Sequence, residues 1–335
     1  MTGLIRRTSA LRFPPLGALA AVGLLVCATG TPAADSGWRP ERPVRLLIPQ
    51  APGGAADAAA RAFTPKFHEA LGQPWVLDNR GGAAGNIATE IVIQSNPDGH
   101  TVLLGLSTTF TVNPHLYRLP FDANRQLTPI AMVTAGQYVL VVHPGVKAET
   151  LKDFIALARA RPGTLNFSSA GVGSPSHLAA ELLKIRSGIG LVHVPYKGGA
   201  PATGAVVAGE VQMMFANLVS ATPQVRAGRL RPLGVAGLKR AAIAPDIPTI
   251  AEQGHADFEI TSWYGLFVPV KTPARIVEVI GREAARALTA PDVGETLTRQ
   301  GLEASHKNAA DFRNHIAREA ATWARVIREG GIRAD

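Results

Sequence analysis

Apolar and polar positions along this chain fall into short blocks separated by glycine- and proline-rich turns. Val44, Leu46 and Ile48 alternate with Arg45 and Leu47, which predicts a strand. The chain then passes through Pro52-Gly53-Gly54 into a helix, where Ala59, Phe63, Phe67 and Leu71 recur every fourth residue and Gly72 marks the stop. Pro65 lies inside that run and is expected to kink or interrupt it. Residues 75–77 read as a second strand, 87–94 as a short helix and 101–106 as a third strand ending in the polar loop Ser107-Thr108-Thr109. Strand, helix, strand, helix, strand implies a parallel sheet with crossovers.

A second series follows. Residues 138–142 form a nearly all-apolar β run, as expected of a buried strand. Thr150 with Asp153 three residues on resembles a capping box and predicts a helix to Ala160. The opening pattern then returns: a strand over 165–167, a small-residue loop over 168–173, and Ser174-Pro175 as N-cap and first helical position. Leu178, Leu182 and Ile185 supply that helix's apolar face. Strands at 191–194, 211–215 and 230–235 alternate with helices over 202–208 and near 221–227. A strand over 263–268, a helix from Thr272-Pro273 to Leu288, and helices near 293–299 and 309–328 end the chain.

Each series has a glycine-rich loop at a strand's carboxyl end, where open α/β sheets bind ligands. Two such loops, one per lobe, predict a clamshell with residues 38–137 plus 261–335 in lobe 1 and 138–260 in lobe 2. In the first loop, Gly53 and Gly54 let the backbone bend sharply, and the helix behind it brings unpaired N–H groups and the positive end of its dipole. A carboxylate or phosphate is the natural guest of such a turn, and a plain tight turn is the alternative.

The N-terminus is different in kind. Residues 1–12 hold Arg6, Arg7 and Arg12 and no acid, an uncharged apolar run covers 16–26, and small residues lead to Ala33-Ala34. That is the layout of an export signal over residues 1–34, placing the mature protein in the periplasm, by the general or the twin-arginine route. Cys27, the one cysteine, lies inside the signal, where Val26 replaces the small residue that lipidation wants. The mature chain therefore has no disulfide, thiol chemistry or cysteine-held metal. Of the formal charge of +9, three units sit in the signal, leaving a mild excess of about +6 without a dense basic run. That suits an acidic small ligand and argues against nucleic acid.

Catalytic signatures are missing. Ser174 and His177 lie three apart at a helix start, but the spacing does not make a nucleophile elbow, and Ser174 is accounted for as an N-cap. The histidines are scattered singly, without metal-ligand spacing, and there is neither a Walker loop nor the Rossmann glycine spacing. No metal, no cofactor and no enzymatic activity are expected. Trp263 and Tyr264 read either as pocket aromatics or as an aromatic pair at the domain junction.

Taken together, several stretches resemble one family. They are Pro52-Gly53-Gly54-x-x-Asp57 with Ala60-Arg61, Leu71-Gly72-Gln73, Asn79-Arg80 and Pro97-Asp98-Gly99. Ser169-Ala170-Gly171-x-Gly173-Ser174-x-x-His177-Leu178-Ala179-x-Glu181 and His193-Val194-Pro195-Tyr196-Lys197-Gly198 follow. Pro245-Asp246-x-Pro248-Thr249-x-Ala251-Glu252-x-Gly254 and Trp263-Tyr264-Gly265-Leu266 complete the set. In this order they are similar to the tripartite tricarboxylate transporter substrate-binding proteins, the Bug or TctC family.

The resemblance implies an α/β, two-lobed periplasmic-binding-protein fold, type II-like, in which each lobe is a mainly parallel sheet flanked by helices. It implies a monomer that holds a small carboxylate in the interlobe cleft, whether a di- or tricarboxylate, an aromatic acid or an acidic amino acid. Its partners would be the permease subunits of a tripartite transporter, or a sensor kinase if the protein reports its ligand instead. The carboxylate-holding role carries over to Pro52, Gly53, Gly54, Ala55, Ala56 and Asp57 in one lobe. In the other it carries over to Ser169, Ala170, Gly171, Gly173, Ser174 and His177, with Ser107, Thr108, Tyr196 and Asn217 around them. The family often has threonine before this aspartate and aspartate after Met214-Phe215; this chain has Ala56 and Ala216, which bears on the ligand's distal end.

Overall fold

The computed structural model describes residues 37–299 and 302–334, and residue 3 alone of the first 36. The signal expected over residues 1–34, with Cys27, otherwise lies outside the described residues. Among the described residues no helix is long and apolar enough to cross a membrane.

The chain opens with β1 (Val44–Ile48), α1 (Ala55–Leu71), β2 (Trp75–Asn79), α2 (Asn86–Ile93) and β3 (Thr101–Leu106). Three short helices, α3 (Ser107–Thr111), α4 (Asn113–Leu116) and α5 (Ala123–Gln126), lead into the 16-residue strand β4 (Leu127–Val142). The second series is α6 (Leu151–Ala160), β5 (Leu165–Ser169), α7 (Pro175–Ser187), β6 (Leu191–Pro195), α8 (Gly199–Val207), β7 (Met213–Asn217), α9 (Leu218–Arg226) and β8 (Arg231–Val235). β9 (Thr261–Pro269), α10 (Ala274–Thr289), α11 (Pro291–Arg299), β10 (Glu303–Lys307) and α12 (Ala309–Glu329) close it.

Most termini follow the local chemistry. Gly72 ends α1 in the left-handed conformation with its N–H on the His68 carbonyl, Thr150 and Asp153 form the reciprocal capping box, and Ser174 caps α7 ahead of Pro175. Pro65 does not interrupt α1, which runs unbroken to Leu71. Pro65 and Arg61 are both exposed, so the carbonyl that loses its helical N–H partner faces water. The expected polar loop at Ser107 is instead the first turn of α3.

β4 is the axis of the sheet. Its first part pairs with β9 as far as Gln137–Thr261, and its second part pairs with β7 from Tyr138–Asn217 onward. One strand therefore belongs to both halves of a sheet ordered β2-β1-β3-β9-β4-β7-β5-β6. The outer strands of each half are parallel, β2-β1-β3 and β6-β5-β7, and the pairings at the junction are antiparallel.

The pairing fixes where the carboxyl ends point. β3 is antiparallel to β9 and β9 to β4, so β1, β2 and β3 run in the direction of β4, toward the second half. β7 is antiparallel to β4, so β5, β6 and β7 run back toward the first half. The loops after β1 and β3 thus face the loops after β5, β6 and β7 across the Gln137–Tyr138 crossover.

Each half has its own core: Val44, Phe63, Phe67 and Leu266 in the first, Phe154, Phe167, Leu178 and Phe215 in the second. α12 joins the two. Phe312 and Ile316 pack with Phe110, Trp263 and Phe267 in the first half, whereas Trp323, Val326 and Ile327 pack into the second core. Gly265 of β9 lies directly beneath the Phe312 ring with no space for a Cβ, which is why a glycine stands there.

Candidate functional site

The turn between β1 and α1 is built by its own side chains. Gly53, at φ 81°, donates its N–H to Asp57 Oδ2 at 3.0 Å, and the Ala56 N–H goes to Gln50 Oε1 at 3.0 Å. Gly54 N–H reaches the Ala51 carbonyl at 3.2 Å, and Asn79 Nδ2 donates to the Gln50 carbonyl at 3.0 Å. Asp57 is 2% exposed and accepts from Arg61 Nε at 2.8 Å. The Arg61 guanidinium, helped by the Gly53 N–H, holds the Asp57 carboxyl below the usual carboxylate range against the opposing effect of burial.

This corrects the expectation that the turn behind Gly53 and Gly54 is an open set of N–H groups for a ligand: its own side chains take part of them. Acceptors four or six residues away are always present at high local concentration, so they take the donors that a ligand would have to compete for. The exposed Ala55 at the start of α1 keeps its N–H without a partner among the described residues.

The opposite loop is stitched more tightly. Ala170 N–H donates to Ser176 Oγ at 2.9 Å, Gly171 N–H to Ser169 Oγ at 3.1 Å, and Gly173 N–H to His177 Nδ1 at 3.1 Å. Ser174 Oγ donates to the Gly171 carbonyl at 2.7 Å, and Tyr196 N–H ties the loop after β6 to the Ser169 carbonyl at 3.0 Å. Behind the loop the His177 and His193 rings stack 3.8 Å apart at 9°, and His193 Nε2 lies 2.6 Å from Ser169 Oγ. Burial, the His193 ring and then Lys184 push His177 down to about 3; burial and Lys184 push His193 down to about 4. Both rings are therefore neutral near pH 7, and His177 acts as an acceptor for the loop backbone. Among the described residues the Val172 and Ser176 N–H groups have no partner, as those of Ala55 and Asp57 have none opposite.

Ser107 and Thr108 begin α3 at the carboxyl end of β3, and Asn217 Oδ1 caps α9 at 3.1 Å from Val219 N beside the crossover. Gly173 brings the two halves together: a Cβ there would stand 2.5 Å from Leu116 Cδ1 of α4, and its φ is 73°. No hydrogen bond among the described residues links the 52–57 turn to the 169–174 loop. The sequence gives no site role to Gln50, Arg61, Ser176 or His193, although Arg61 and His193 stand among the motif residues. Ser176 lies between two of them, and Gln50 immediately precedes the turn.

The geometry does not support hydrolysis. His177 meets Ser174 through its backbone N–H, 3.4 Å from Oγ, while its ring serves Gly173. The closer Ser169–His193 pair involves a serine with no exposure at all. Cavity size is no guide to the site either. A cavity of about 370 Å³ lies by His143, Lys147, Arg161 and Gln212, at the amino ends of β5 and β7 and opposite the converging loops.

Carboxyl ends thus converge from two half-sheets that share one strand, with a helix start behind each loop. The family described as "Tripartite tricarboxylate transporter family receptor" (TctC) matches residues 59–332. The chain belongs to this family. It is a family of periplasmic substrate-binding receptors and not of enzymes. A relative from Pseudomonas sp. strain P51, a UPF0065 protein from the tcbD-tcbE intergenic region, is 36% identical over 319 residues, covering 95% of each chain. Among solved structures, R. palustris Rpa4515 with adipate is 33% identical with a TM-score of 0.74, covering 88% of this chain and 99% of that one. MatC (Rpa3494) from Rhodopseudomonas palustris with bound malate is 31% identical with a TM-score of 0.70, covering 86% and 99%.

Proposed function

We propose that this receptor captures a small, unbranched dicarboxylate between its two half-sheets and delivers it to the permease subunits of a tripartite tricarboxylate transporter. The observation that carries this reading is the convergence of the β1–α1 and β5–α7 loops across the Gln137–Tyr138 crossover. Behind each loop stands a helix long enough to carry a dipole, 17 residues in α1 and 13 in α7. Such helix starts favour a carboxylate by roughly 0.3–1 kcal/mol each when exposed, and more in a partly buried site.

Few loop N–H groups remain free, so ordered water carries part of the contact; a carboxylate stripped of water without donors would be prohibitively costly. Adipate and malate in the two similar structures are both dicarboxylates, which supports the ligand class. The lobes of this reading are residues 38–137 with 261–335, and 138–260. α12 spans both, and closure about the crossover is what retains the ligand. Export through the signal at residues 1–34 places the receptor in the periplasm.

Titration calorimetry of the purified protein against mono-, di- and tricarboxylates and acidic amino acids tests this. The expected result is one-to-one binding of a dicarboxylate of four to six carbons at micromolar Kd or better, about −8 kcal/mol. No binding by any carboxylate at millimolar concentration would overturn it.

A further inference from the structure

Glu319, on α12, sits at the joint between the halves. Its Oε2 accepts from Trp263 Nε1 of β9 at 2.5 Å, and its Oε1 from Trp323 Nε1 at 3.1 Å. Trp263 belongs to the first-half core and Trp323 to the second, so one carboxyl group ties the crossover strand to the helix that spans both cores. Its side chain is 13% exposed. Together with Trp323 and Thr261 it walls a void of about 10 Å³ shared with Ser107 and Thr108 of α3 and Pro175 and Leu178 of α7. These are the first turns of the helices that follow β3 and the 169–174 loop. The carboxyl therefore stands directly behind the ligand side of both halves.

We propose that Glu319 is a positioning residue of the interlobe site, coupling closure of the lobes on an anion to uptake of a proton. This rests on the reading of the cleft as a carboxylate site. No lysine or arginine pairs with Glu319 among the described residues; the nearest base, His315 Nε2, is 3.7 Å away. Burial, Lys307 and Arg318 push His315 down to about 4, so it supplies no charge near neutrality. Asp257 and Glu259 from the segment before β9, with Arg318 of α12, line the adjoining cavity of about 270 Å³, and α3 and α7 offer only hydroxyl and apolar groups.

Burial pushes the Glu319 carboxyl up to about 7, with Glu259 adding to the shift, while the two indole N–H groups work in the opposite direction. Drawing α3 and α7 together removes more water from it, and a carboxylate arriving nearby adds like charge. Both changes favour the protonated form. Anion binding then draws a proton at pH 7, and affinity rises as pH falls through that value.

The test is calorimetry with malate and adipate at pH 7 in two buffers of different protonation enthalpy, comparing wild type with Glu319→Gln. Expected are net uptake of a substantial fraction of a proton by wild type and none by the variant. Wild-type affinity is expected to weaken at least threefold from pH 6 to 8, with a flat profile for the variant. Trp323→Phe keeps the carboxyl but removes one donor to its charged form, so its affinity midpoint is expected to move to higher pH. Equal proton uptake by wild type and Glu319→Gln, or an unmoved midpoint in Trp323→Phe, overturns the role of Glu319 while leaving the cleft reading intact. If neither ligand binds wild type, the cleft reading falls and this role falls with it.

Discussion

Acidification from pH 7 to pH 4 is expected to remove on the order of 5 kcal/mol of folding stability, mostly through His177 and His193. In the folded chain these rings titrate at about 3 and about 4; in an unfolded chain they do so near the usual histidine value of 6.5. A depressed folded-state value means that the unfolded chain binds protons which the native chain refuses. The stability is therefore fully present above about pH 6.5 and is lost as pH falls toward the folded values. His315, held near 4, acts in the same direction. Glu319 acts in the opposite direction, because its raised value favours the folded chain below pH 7, and this offsets part of the loss.

The physical cause is a stack of two imidazoles packed against Phe167, 4.8 Å from His193, where a charge loses most of its water and meets Lys184, while Glu181, 3.8 Å from His177, is already paired with that lysine at 2.8 Å. Urea unfolding at pH 7 and pH 4.5 measures the effect. A His177→Gln/His193→Gln double variant is expected to be weaker than wild type at pH 7 and to show a shallower loss on acidification. Parallel losses in the two proteins would place the acid sensitivity elsewhere.

Removing the Asp57 carboxylate is expected to cost about 2 kcal/mol of stability and at least tenfold in ligand affinity. Asp57→Ala leaves the Gly53 N–H without its acceptor and Arg61 without its partner at 2.8 Å. The guanidinium is 63% exposed and can return to water, which keeps the stability cost modest. The turn cannot recover so easily: Gly53 sits at positive φ because the carboxylate holds its N–H there. The expected signature is therefore a larger loss in binding than in folding, read by calorimetry beside urea unfolding. Unchanged ligand affinity in Asp57→Ala would show that this turn does not shape the site.

Much of the fold was legible because its signals are local. Alternating Val44, Leu46 and Ile48, the four-residue repeat through Phe63 and Phe67, and the Thr150 and Ser174 caps need only their neighbours to be read. The first part of β4 was not legible. Pro129, Gly136 and the polar Thr128, Thr134 and Gln137 break every period there, and the strand exists because β9 and β10 supply partners from over a hundred residues away. β10 reads Glu303-Ala304-Ser305-His306-Lys307, with no apolar alternation, and is a strand only by pairing with β4.

The site divides in the same way. Its glycine-rich turns stand out by composition, and the helix starts behind them by capping chemistry. What those turns do with their donors depends on where neighbouring side chains come to rest, as with Gln50 on Ala56 and Asp57 on Gly53, and on the His193 ring that β6 brings against Ser169 Oγ. The turn that reads as an open cradle is one whose N–H groups are in good part taken; among the described residues Ala55 and Asp57 on one side and Val172 and Ser176 on the other keep theirs without a partner.

The crystal structure of the protein grown with its tightest-binding dicarboxylate is the most direct test. The expected result is one carboxylate lying between the β1–α1 turn and the 169–174 loop, about 2.7–3.2 Å from the Ala55 or Val172 N–H or from a water bound to them. A ligand found instead in the cavity by His143, Lys147 and Arg161, or held by only one half of the sheet, would contradict capture between the two halves.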